Sequence, residues 1–200
     1  MKRYSQNEID ELVNILNNDG VISVPTDTVY GVCARMNSIK ARNNLAILKN
    51  RPVSKSIAVM CADEEQIKSI AIVNKKVEKL IHTFMPGPIT LILLKGPNVP
   101  EYVNPGSIEI GVRMATSKEL EELIRKTGCP LFMTSANKSG EDICMNLDEI
   151  EKACPNLDGI MEGNISFGKA STIVDCTSDT IKILRPGPIS LEQIMDALNS

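Results

Sequence analysis

Apolar positions near the start of the chain recur at the spacing of an amphipathic helix. Ser5 stands three residues before Glu8, which is typical of a capping box at a helix N-terminus. Apolar residues then recur on one helical face through 9–16, and Gly20 follows. The pattern therefore predicts a packing helix that ends before Gly20.

Strand and helix patterns alternate along the rest of the chain. The apolar run 21–24 predicts a short buried strand, and Pro25 interrupts it so that 26–31 forms a polar turn. Further strands are predicted at 57–61, 89–94, 108–113, 131–133, 172–175 and 181–184, and further helices at 39–49, 63–70 and 75–84. Capping pairs open two more predicted helices: Thr116 with Glu119, and Ser190 with Gln193. Because no Ser/Gly-rich linker interrupts this alternation, we predict a single α/β domain over 1–200, built on a mixed sheet.

Hydropathy gives no indication of a membrane or secreted protein. The longest uncharged apolar run, 89–94, is far shorter than the roughly 20 residues that a membrane span needs. The N-terminal residues lead into polar sequence without an apolar stretch before a small-residue cleavage site, so no signal peptide is predicted. We therefore expect a cytoplasmic protein.

The cysteines and the histidine offer little to a metal or a nucleophile. The six cysteines are scattered beside mostly apolar residues, at Cys33, Cys61, Cys129, Cys144, Cys154 and Cys176. Reduced core thiols are therefore favoured over a disulfide framework. The single histidine, His82, falls in a predicted helix, where a surface role is expected. We predict no metal site held by protein ligands.

Four polar places beside the apolar strands carry groups suited to an anionic substrate. They are the turn 26–31, the cluster Lys49-Asn50-Arg51 with Lys55, the turn 134–140, and Ser171-Thr172 with Arg185. Taken singly, the basic cluster is equally typical of a solvated helix end, and 134–140 of a connection rich in turn formers. Since the net charge of −3 gives no general footprint for nucleic acid, phosphate chemistry depends on these local groups.

Together these places resemble the blocks of one protein family in order and in type. The blocks are PTDTVYG at 25–31, K-x-R at 49–51, PGPIT at 86–90, GVR at 111–113, TSANKSG at 134–140, STIVD at 171–175 and LRPG at 184–187. This set resembles the YrdC family, and the resemblance spans about 20–187. It implies a twisted, largely parallel or mixed sheet with flanking helices around a deep, positively lined cavity.

The resemblance also implies a reaction. The family joins L-threonine, bicarbonate and ATP into threonylcarbamoyl-AMP and releases pyrophosphate. The product supplies the threonylcarbamoyl group of adenosine 37 in tRNA, and we expect separate transfer proteins to consume it. Neither carbamate formation nor attack on the α-phosphorus needs a covalent enzyme intermediate, so positioning and charge neutralisation supply most of the rate.

Residue roles carried over from the resemblance divide into two groups. The implied ATP-binding residues, of which Lys49 and Arg51 are also the catalytic ones, are Lys49, Arg51, Lys55, Ser135, Asn137, Ile143 and Arg185. The implied threonine-binding residues are Thr28, Met60, Arg113, Met133 and Ser171. Arg113 is the natural partner for the threonine carboxylate. Thr26, Asp27 and Tyr30 are expected to be turn and packing residues. Mg²⁺ is expected to arrive with ATP, carried by phosphates and water, because no acidic cluster is evident.

The chain departs from the family pattern at several positions. It has Ser56 where the family often has proline, Met60 where a histidine is frequent, and 114–117 in place of a Pro-x-His-Pro turn. The Ser/Thr-Pro element after the SAN-x-SG block is replaced near Ile143. These changes leave the phosphate-binding basic residues intact and weaken the assignment of the amino acid.

Two alternatives stay open at this stage. Family members resemble double-stranded-RNA binders through a basic concavity, so an RNA- or nucleotide-binding paralogue without synthase activity is one alternative. The acidic balance and the absence of tryptophan make a poor surface for tracking a nucleic-acid backbone. The other is a paralogue with a changed amino acid, or a carbamoyl-transfer domain of hydrogenase maturation, which normally belongs to a much longer chain.

Overall fold

Ten strands form one mixed sheet in residues 1–52, 54–137 and 141–199, which the computed structural model describes. The strands are β1 (Arg3–Tyr4), β2 (Ile22–Val24), β3 (Gly31–Arg35), β4 (Ala58–Cys61), β5 (Ile89–Leu94), β6 (Glu109–Met114), β7 (Leu131–Ser135), β8 (Gly159–Met161), β9 (Thr172–Asp175) and β10 (Lys182–Arg185). Their order across the sheet is β1-β8-β2-β3-β7-β4-β6-β5-β9-β10. β4 runs parallel to β6 and β5 parallel to β9, whereas β3 and β4 are both antiparallel to β7, which lies between them.

Seven α-helices flank the sheet in these residues. They are α1 (Ile9–Asn17), α2 (Ile39–Leu48), α3 (Glu64–Ile70), α4 (Lys75–Phe84), α5 (Lys118–Thr127), α6 (Leu147–Ala153) and α7 (Leu191–Asn199). No helix in this part of the chain is long and apolar enough to cross a membrane. The predicted α/β architecture with a mixed sheet and flanking helices is confirmed.

Strand residues alternate between two apolar layers. On β3, Val32 and Ala34 join one layer and Cys33 joins the other. Helices α1 and α5 pack on each other in the Cys33 layer through residues such as Leu12 and Leu123, both fully buried. Helices α2, α3, α4 and α7 pack into the opposite layer. The period-two pleat therefore decides which side chains of each central strand face α1 and α5.

Four elements escaped the sequence patterns. Both faces of β3 are buried, so its residues show no apolar–polar alternation. β1 and β8 are only two and three residues long, too short for a periodic signal. Helix α6 had a readable signal, because the Asn146 side chain caps it by accepting from the Glu149 backbone N–H at 2.9 Å.

The three predicted capping pairs have different outcomes. The Ser190–Gln193 pair is confirmed in both directions, at 2.8 and 3.2 Å. The Ser5–Glu8 pair is half confirmed: the Glu8 carboxylate accepts from the Ser5 backbone N–H at 2.8 Å, but α1 begins only at Ile9. The Thr116 cap is wrong. Ser117 caps α5 by accepting from the Leu120 backbone N–H at 3.2 Å, and the Thr116 hydroxyl contacts Asp27 instead.

Candidate active site

A cavity of about 420 Å³ opens on the Cys33 side of the sheet and crosses seven neighbouring strands, from β3 to β10. Four of these strands each contribute a pair of lining residues at positions i and i+2. Residues at this spacing point to the same face of the sheet because side chains alternate along a strand. These pairs are Met133 and Ser135 on β7, Ala58 and Met60 on β4, Gly111 and Arg113 on β6, and Thr90 and Ile92 on β5. β3 contributes Gly31 and β9 contributes Ile173, with Ser171 just before it. One face of the central sheet is therefore the floor of the site.

Small residues in the middle of that floor keep it open. A Cβ added to Gly111 would lie 3.1 Å from Ile92 Cδ1 and 3.4 Å from the Ala58 Cβ. A Cβ on Gly31 would collide with the Met133 sulfur. Sequence reasoning missed Ala58, Thr90, Ile92 and Gly111 as lining residues. The two-residue spacing of Ala58 from Met60 and of Gly111 from Arg113 was an available signal for two of them.

Lys49 lies at the C-terminal end of α2 and lines the cavity with only 2 % of its surface exposed. Its ammonium donates to the backbone carbonyls of Ser135 and Asn137 at the end of β7. Burial lowers the pKa of Lys49 to about 8. Lys49 thus ties the basic cluster to the polar turn that follows β7.

Arg51 follows Lys49 after a sharp turn at Asn50, whose φ of 47° is in the left-handed region that asparagine tolerates. The Arg51 guanidinium donates to the carbonyls of Lys55 at 3.3 Å and Ser56 at 2.5 Å. Burial lowers the pKa of Arg51. Lys55 lines the mouth of the cavity and is exposed. The predicted basic cluster is therefore assembled around one end of the cavity.

Ser135 and Asn137 line the same end of the cavity, next to Lys49. The Ser135 hydroxyl donates to Asn137 Oδ1 at 2.5 Å, and Asn137 Nδ2 donates to the Glu141 carbonyl at 2.7 Å. The rest of the predicted turn, 138–140, lies outside the described residues. Ile143 is half-buried and is not among the lining residues, so its nucleotide contact stays a prediction.

Arg113 occupies the centre of the floor and is buried, with 8 % of its surface exposed. Its Nη1 donates to Thr28 Oγ1 at 2.7 Å, its Nε donates to the Gly87 carbonyl at 3.2 Å, and its Nη2 donates to Asp27 Oδ1. Burial lowers the pKa of Arg113, and the charge of Asp27 acts against that shift. Asp27, expected to be a turn and packing residue, also pairs through its carboxylate with the guanidinium on the cavity floor.

Thr26, which lines the cavity, and Tyr30 also make hydrogen bonds to backbone groups around this loop. The Thr26 hydroxyl donates to the Val29 carbonyl at 2.6 Å and accepts from the backbone N–H groups of Thr28 and Val29. Such local bonding is typical of a turn-forming threonine. The Tyr30 hydroxyl donates to the Gly163 carbonyl at 2.7 Å. Thr26 and Tyr30 therefore shape the loop between β2 and β3.

A second arginine lies beyond Arg113 along the floor. Arg185 donates from Nη2 to the Ser171 carbonyl at 2.8 Å and to the Ser171 hydroxyl at 3.1 Å. That hydroxyl also shares a hydrogen bond of 2.8 Å with Thr90 Oγ1. The positive charge of Arg185 is close enough to oppose protonation of Arg113. An anion between the two guanidinium groups would relieve this repulsion.

The walls combine cations and methionines. Every predicted site residue except Ile143 lines the cavity, with Met60 and Met133 on the apolar part of its floor. The cationic lining residues are Lys49, Arg51, Lys55, Arg113 and Arg185, and none of the described lining residues is aspartate or glutamate.

The described residues contain one group of possible metal ligands, Glu64, Glu78 and His82, but Lys68 already bridges its two carboxylates at 2.8 and 2.9 Å. That group is on α3 and α4 and contributes nothing to the cavity lining.

The family model named Sua5_yciO_yrdC, described as "Telomere recombination", matches residues 14–187. The chain belongs to the Sua5/YciO/YrdC family. A putative threonylcarbamoyl-AMP synthase of Methanocaldococcus jannaschii is 31 % identical over 97 % of this chain and 95 % of its own length. The threonylcarbamoyl-AMP synthase of Bacillus subtilis is also 31 % identical, but this chain spans only 55 % of it.

Solved structures of family members share the fold. The structure of P. abyssi Sua5 complexed with L-threonine has a TM-score of 0.91 and 27 % identity, covering 98 % of this chain and 60 % of that one. The crystal structure of E. coli YciO has a TM-score of 0.87, and the match covers 96 % of this chain and 98 % of that one. At 23 % identity it supports the fold alone. The resemblance inferred from the sequence motifs is therefore confirmed at the level of family and fold.

Proposed function

We propose that this chain is a threonylcarbamoyl-AMP synthase, a nucleotidyltransferase that uses L-threonine, bicarbonate and ATP. The observation that carries the proposal is the composition of one cavity: five named cations, hydroxyl and amide groups, and no acidic lining residue. Such a lining suits a ligand with several negative charges. The proposal is supported by family relatives named for this activity and by the Sua5 neighbour complexed with L-threonine.

The donors still available on Arg113 suit an amino-acid carboxylate. A guanidinium has five N–H donors, and Arg113 uses one each toward Gly87, Thr28 and Asp27. Each terminal nitrogen keeps a second N–H for a bidentate carboxylate. Ser171 and Thr90 lie on the Arg185 side, where their hydroxyls suit the polar groups of the same substrate. Met60 and Met133 give its side chain an apolar floor.

The cluster around Lys49 suits the phosphates of ATP. Lys49 and Arg51 donate to backbone carbonyls and form no ion pair with another described residue, so phosphate oxygens would be their first counter-charges. Ser135 and Asn137 line the same end of the cavity, and the exposed Lys55 lines it as well. This arrangement places the nucleotide and the amino acid on neighbouring parts of one floor.

The proposed reaction has two steps. The threonine amine captures bicarbonate as a carbamate with loss of water. A carbamate oxygen then forms a bond to the α-phosphorus of ATP while the bond to the pyrophosphate oxygen breaks, and pyrophosphate leaves. The cations stabilise the charge that develops on the phosphates, and the tether on Arg113 orients the attacking molecule.

Mg²⁺ would enter with ATP rather than in a protein cage. Because no lining residue carries a carboxylate, the cavity offers a divalent ion no acidic ligand, and phosphates and water would hold it. When bound, the ion would neutralise phosphate charge. The product would serve proteins that transfer the threonylcarbamoyl group to tRNA.

Pyrophosphate release tests the proposal directly. The purified chain is incubated with ATP, Mg²⁺ and bicarbonate and with each amino acid in turn, and the adenylate is identified by mass spectrometry. We expect pyrophosphate and the threonylcarbamoyl adenylate with threonine, and their loss when bicarbonate is removed. The exposed Arg125→Gln variant should match the wild type.

Two outcomes would contradict the proposal. Pyrophosphate release that does not depend on any amino acid would point to a different nucleotide reaction. Binding to duplex RNA without turnover would support the RNA-binding alternative. That alternative is disfavoured because Lys49 and Arg113 are buried, with 2 % and 8 % of their surfaces exposed, out of reach of a duplex backbone.

A further inference from the structure

Asp27 holds a carboxylate directly behind the guanidinium on the cavity floor. Its side chain is 14 % exposed, and its Oδ1 accepts from Arg113 Nη2 and from Thr116 Oγ1, the latter at 3.2 Å. Its Oδ2 is buried and has no hydrogen-bond partner among the described residues. A buried carboxylate oxygen left unpaired lowers stability, so its presence calls for an explanation.

The position of Asp27 excludes direct contact with a ligand in the cavity. Thr26, Thr28 and Val29 line the cavity, but Asp27 does not. Its backbone N–H donates to Thr116 Oγ1 at 3.3 Å, so the carboxylate and the backbone are both fixed to the segment after β6. The contact through which Asp27 would act on a bound molecule is therefore its ion pair with Arg113.

The three bonds of Arg113 fix the plane of its guanidinium. Nε is held by the Gly87 carbonyl, Nη1 by Thr28 and Nη2 by Asp27. Of these partners only Asp27 carries a charge, and charge-assisted bonds are the stronger kind. Without it, Nη2 would lose its anchor and the fork would be free to rotate about the two remaining bonds.

We propose that Asp27 is a positioning residue that holds the Arg113 guanidinium in the orientation needed to receive the carboxylate of the amino-acid substrate. The inference rests on the proposed function and assigns Asp27 no contact with substrate. Thr116 supports this arrangement, because its hydroxyl donates to Asp27 Oδ1, the oxygen that also accepts from Arg113.

Two effects of the Asp27 charge oppose each other. The charge orients Arg113, but it also cancels part of the attraction that Arg113 exerts on a substrate carboxylate. Orientation should prevail because Arg185 adds positive charge near Arg113, whereas no other charged group among the described residues bonds to Arg113. Neutralising Asp27 should therefore weaken threonine binding if orientation prevails and strengthen it if the loss of opposing charge prevails.

The test is Asp27→Asn, which keeps the shape of the side chain and the backbone bonds of residue 27. We expect the threonine Michaelis constant to rise about ten-fold, with the ATP Michaelis constant changed less than two-fold. Asp10→Asn removes an exposed carboxylate from an ion pair with Lys126 and is the matched control. In an Arg113→Gln background, Asp27→Asn should add no further rise, because the group it positions is gone.

A second variant covers the case in which Asp27→Asn does not fold. Thr116→Val keeps the Asp27 charge and removes the other side-chain bond to Oδ1, and we expect a two- to three-fold rise in the threonine Michaelis constant. If the Michaelis constants for threonine and ATP rise equally, Asp27 has only a structural role. If Asp27→Asn binds threonine more tightly, the electrostatic effect prevails. Either result overturns the inference. If the wild type releases no pyrophosphate with threonine, the proposed function itself fails. If the wild type is active and both variants match it, only the inference fails.

Discussion

The two ends of the cavity hold their cations in different ways. At one end, the Lys49 ammonium donates to two backbone carbonyls, and no carboxylate of the described residues pairs with it. At the other end, Arg113 pairs with Asp27 and also donates to a hydroxyl and a carbonyl. Carbonyl dipoles hold a cation in place while leaving its full charge for a ligand. A carboxylate removes part of the charge and fixes a direction.

This difference fits the two proposed ligands. A triphosphate brings several charges and is bound chiefly by charge, so an unpaired lysine suits it. An amino-acid carboxylate is a planar group with a single charge, so the orientation of a planar fork matters more. The predictions below test the comparison by removing the charge at one end and the geometry at the other.

Removing Lys49 should give the largest effect. Lys49→Ala removes a charge-assisted contact worth about 1.5–3 kcal/mol and should lower kcat/KM for ATP by roughly 10- to 150-fold. It also removes the two hydrogen bonds that the ammonium donates to backbone carbonyls at the end of β7, so the free energy of unfolding should fall by about 1–3 kcal/mol. Lys126→Ala, which removes exposed ion pairs, is the control.

The stability part of this prediction tests whether Lys49 also holds the segment after β7 in place, through the two carbonyls to which it donates. Chemical denaturation measures the change. A variant as stable and active as the wild type would contradict both roles. Arg51→Ala should lower the free energy of unfolding less than Lys49→Ala, because the carbonyls that accept from Arg51 belong to exposed residues.

Changing the geometry at Arg113 should give the next largest effect. Arg113→Lys keeps the positive charge but cannot reproduce the planar fork that bonds Asp27, Thr28 and a carboxylate together. We expect the threonine Michaelis constant to rise roughly ten-fold or more while that of ATP changes little. Arg125→Lys is the control. Equal weakening of both substrates would move Arg113 to the nucleotide side.

The pKa of Lys49 should make the nucleotide end sensitive to pH. Burial lowers that pKa to about 8, so the ATP Michaelis constant should be flat below pH 8 and rise by up to about ten-fold per pH unit above it. The Michaelis constant for threonine should show no such rise above pH 8. Steady-state kinetics between pH 7 and 9.5 measure both substrates, and an ATP constant that stays flat through this range would argue against a charged Lys49 in binding.

The same group predicts a dependence of stability on pH. Because the pKa of Lys49 is lower in the folded state than in the unfolded state, its charge opposes folding below pH 8. The unfolded state binds the extra proton above pH 8, so this contribution to stability improves as pH rises toward the ordinary lysine value. The slope should disappear in Lys49→Met, and thermal unfolding of the two proteins at pH 7, 8 and 9 provides the comparison.

The cysteines should have the smallest effect. All six are buried and free, and burial raises the pKa of Cys176 to about 12 and those of Cys33 and Cys61 still further above the usual range. Buried neutral thiols are inert. Alkylation by iodoacetamide should therefore be slow, and activity should survive a reducing agent and a chelator used with excess Mg²⁺. Loss of activity on reduction alone would be evidence for a functional disulfide.

The amino-acid sequence by itself determined the local elements and the family. Periodic runs such as 89–94 and the Ser190–Gln193 capping box carry their own signal, because their partners are a few residues away. The motif blocks identified the family, and all the site residues predicted from the resemblance except Ile143 line the cavity. β3 was missed because burial on both faces removes the alternation that marks a strand.

Only the tertiary structure decided what holds the functional side chains. Asp27 and Arg113 are 86 residues apart, and Lys49 and Asn137 are 88 apart. Asp27 precedes β3 and Arg113 is on β6, whereas Lys49 lies at the C-terminal end of α2 and Asn137 follows β7. The strand order that brings these segments to one site is set by long-range pairing. A local pattern states which residue types are present. The hydrogen-bond partner of a buried charge is fixed by strand order and register, and neither is written in the residues around it.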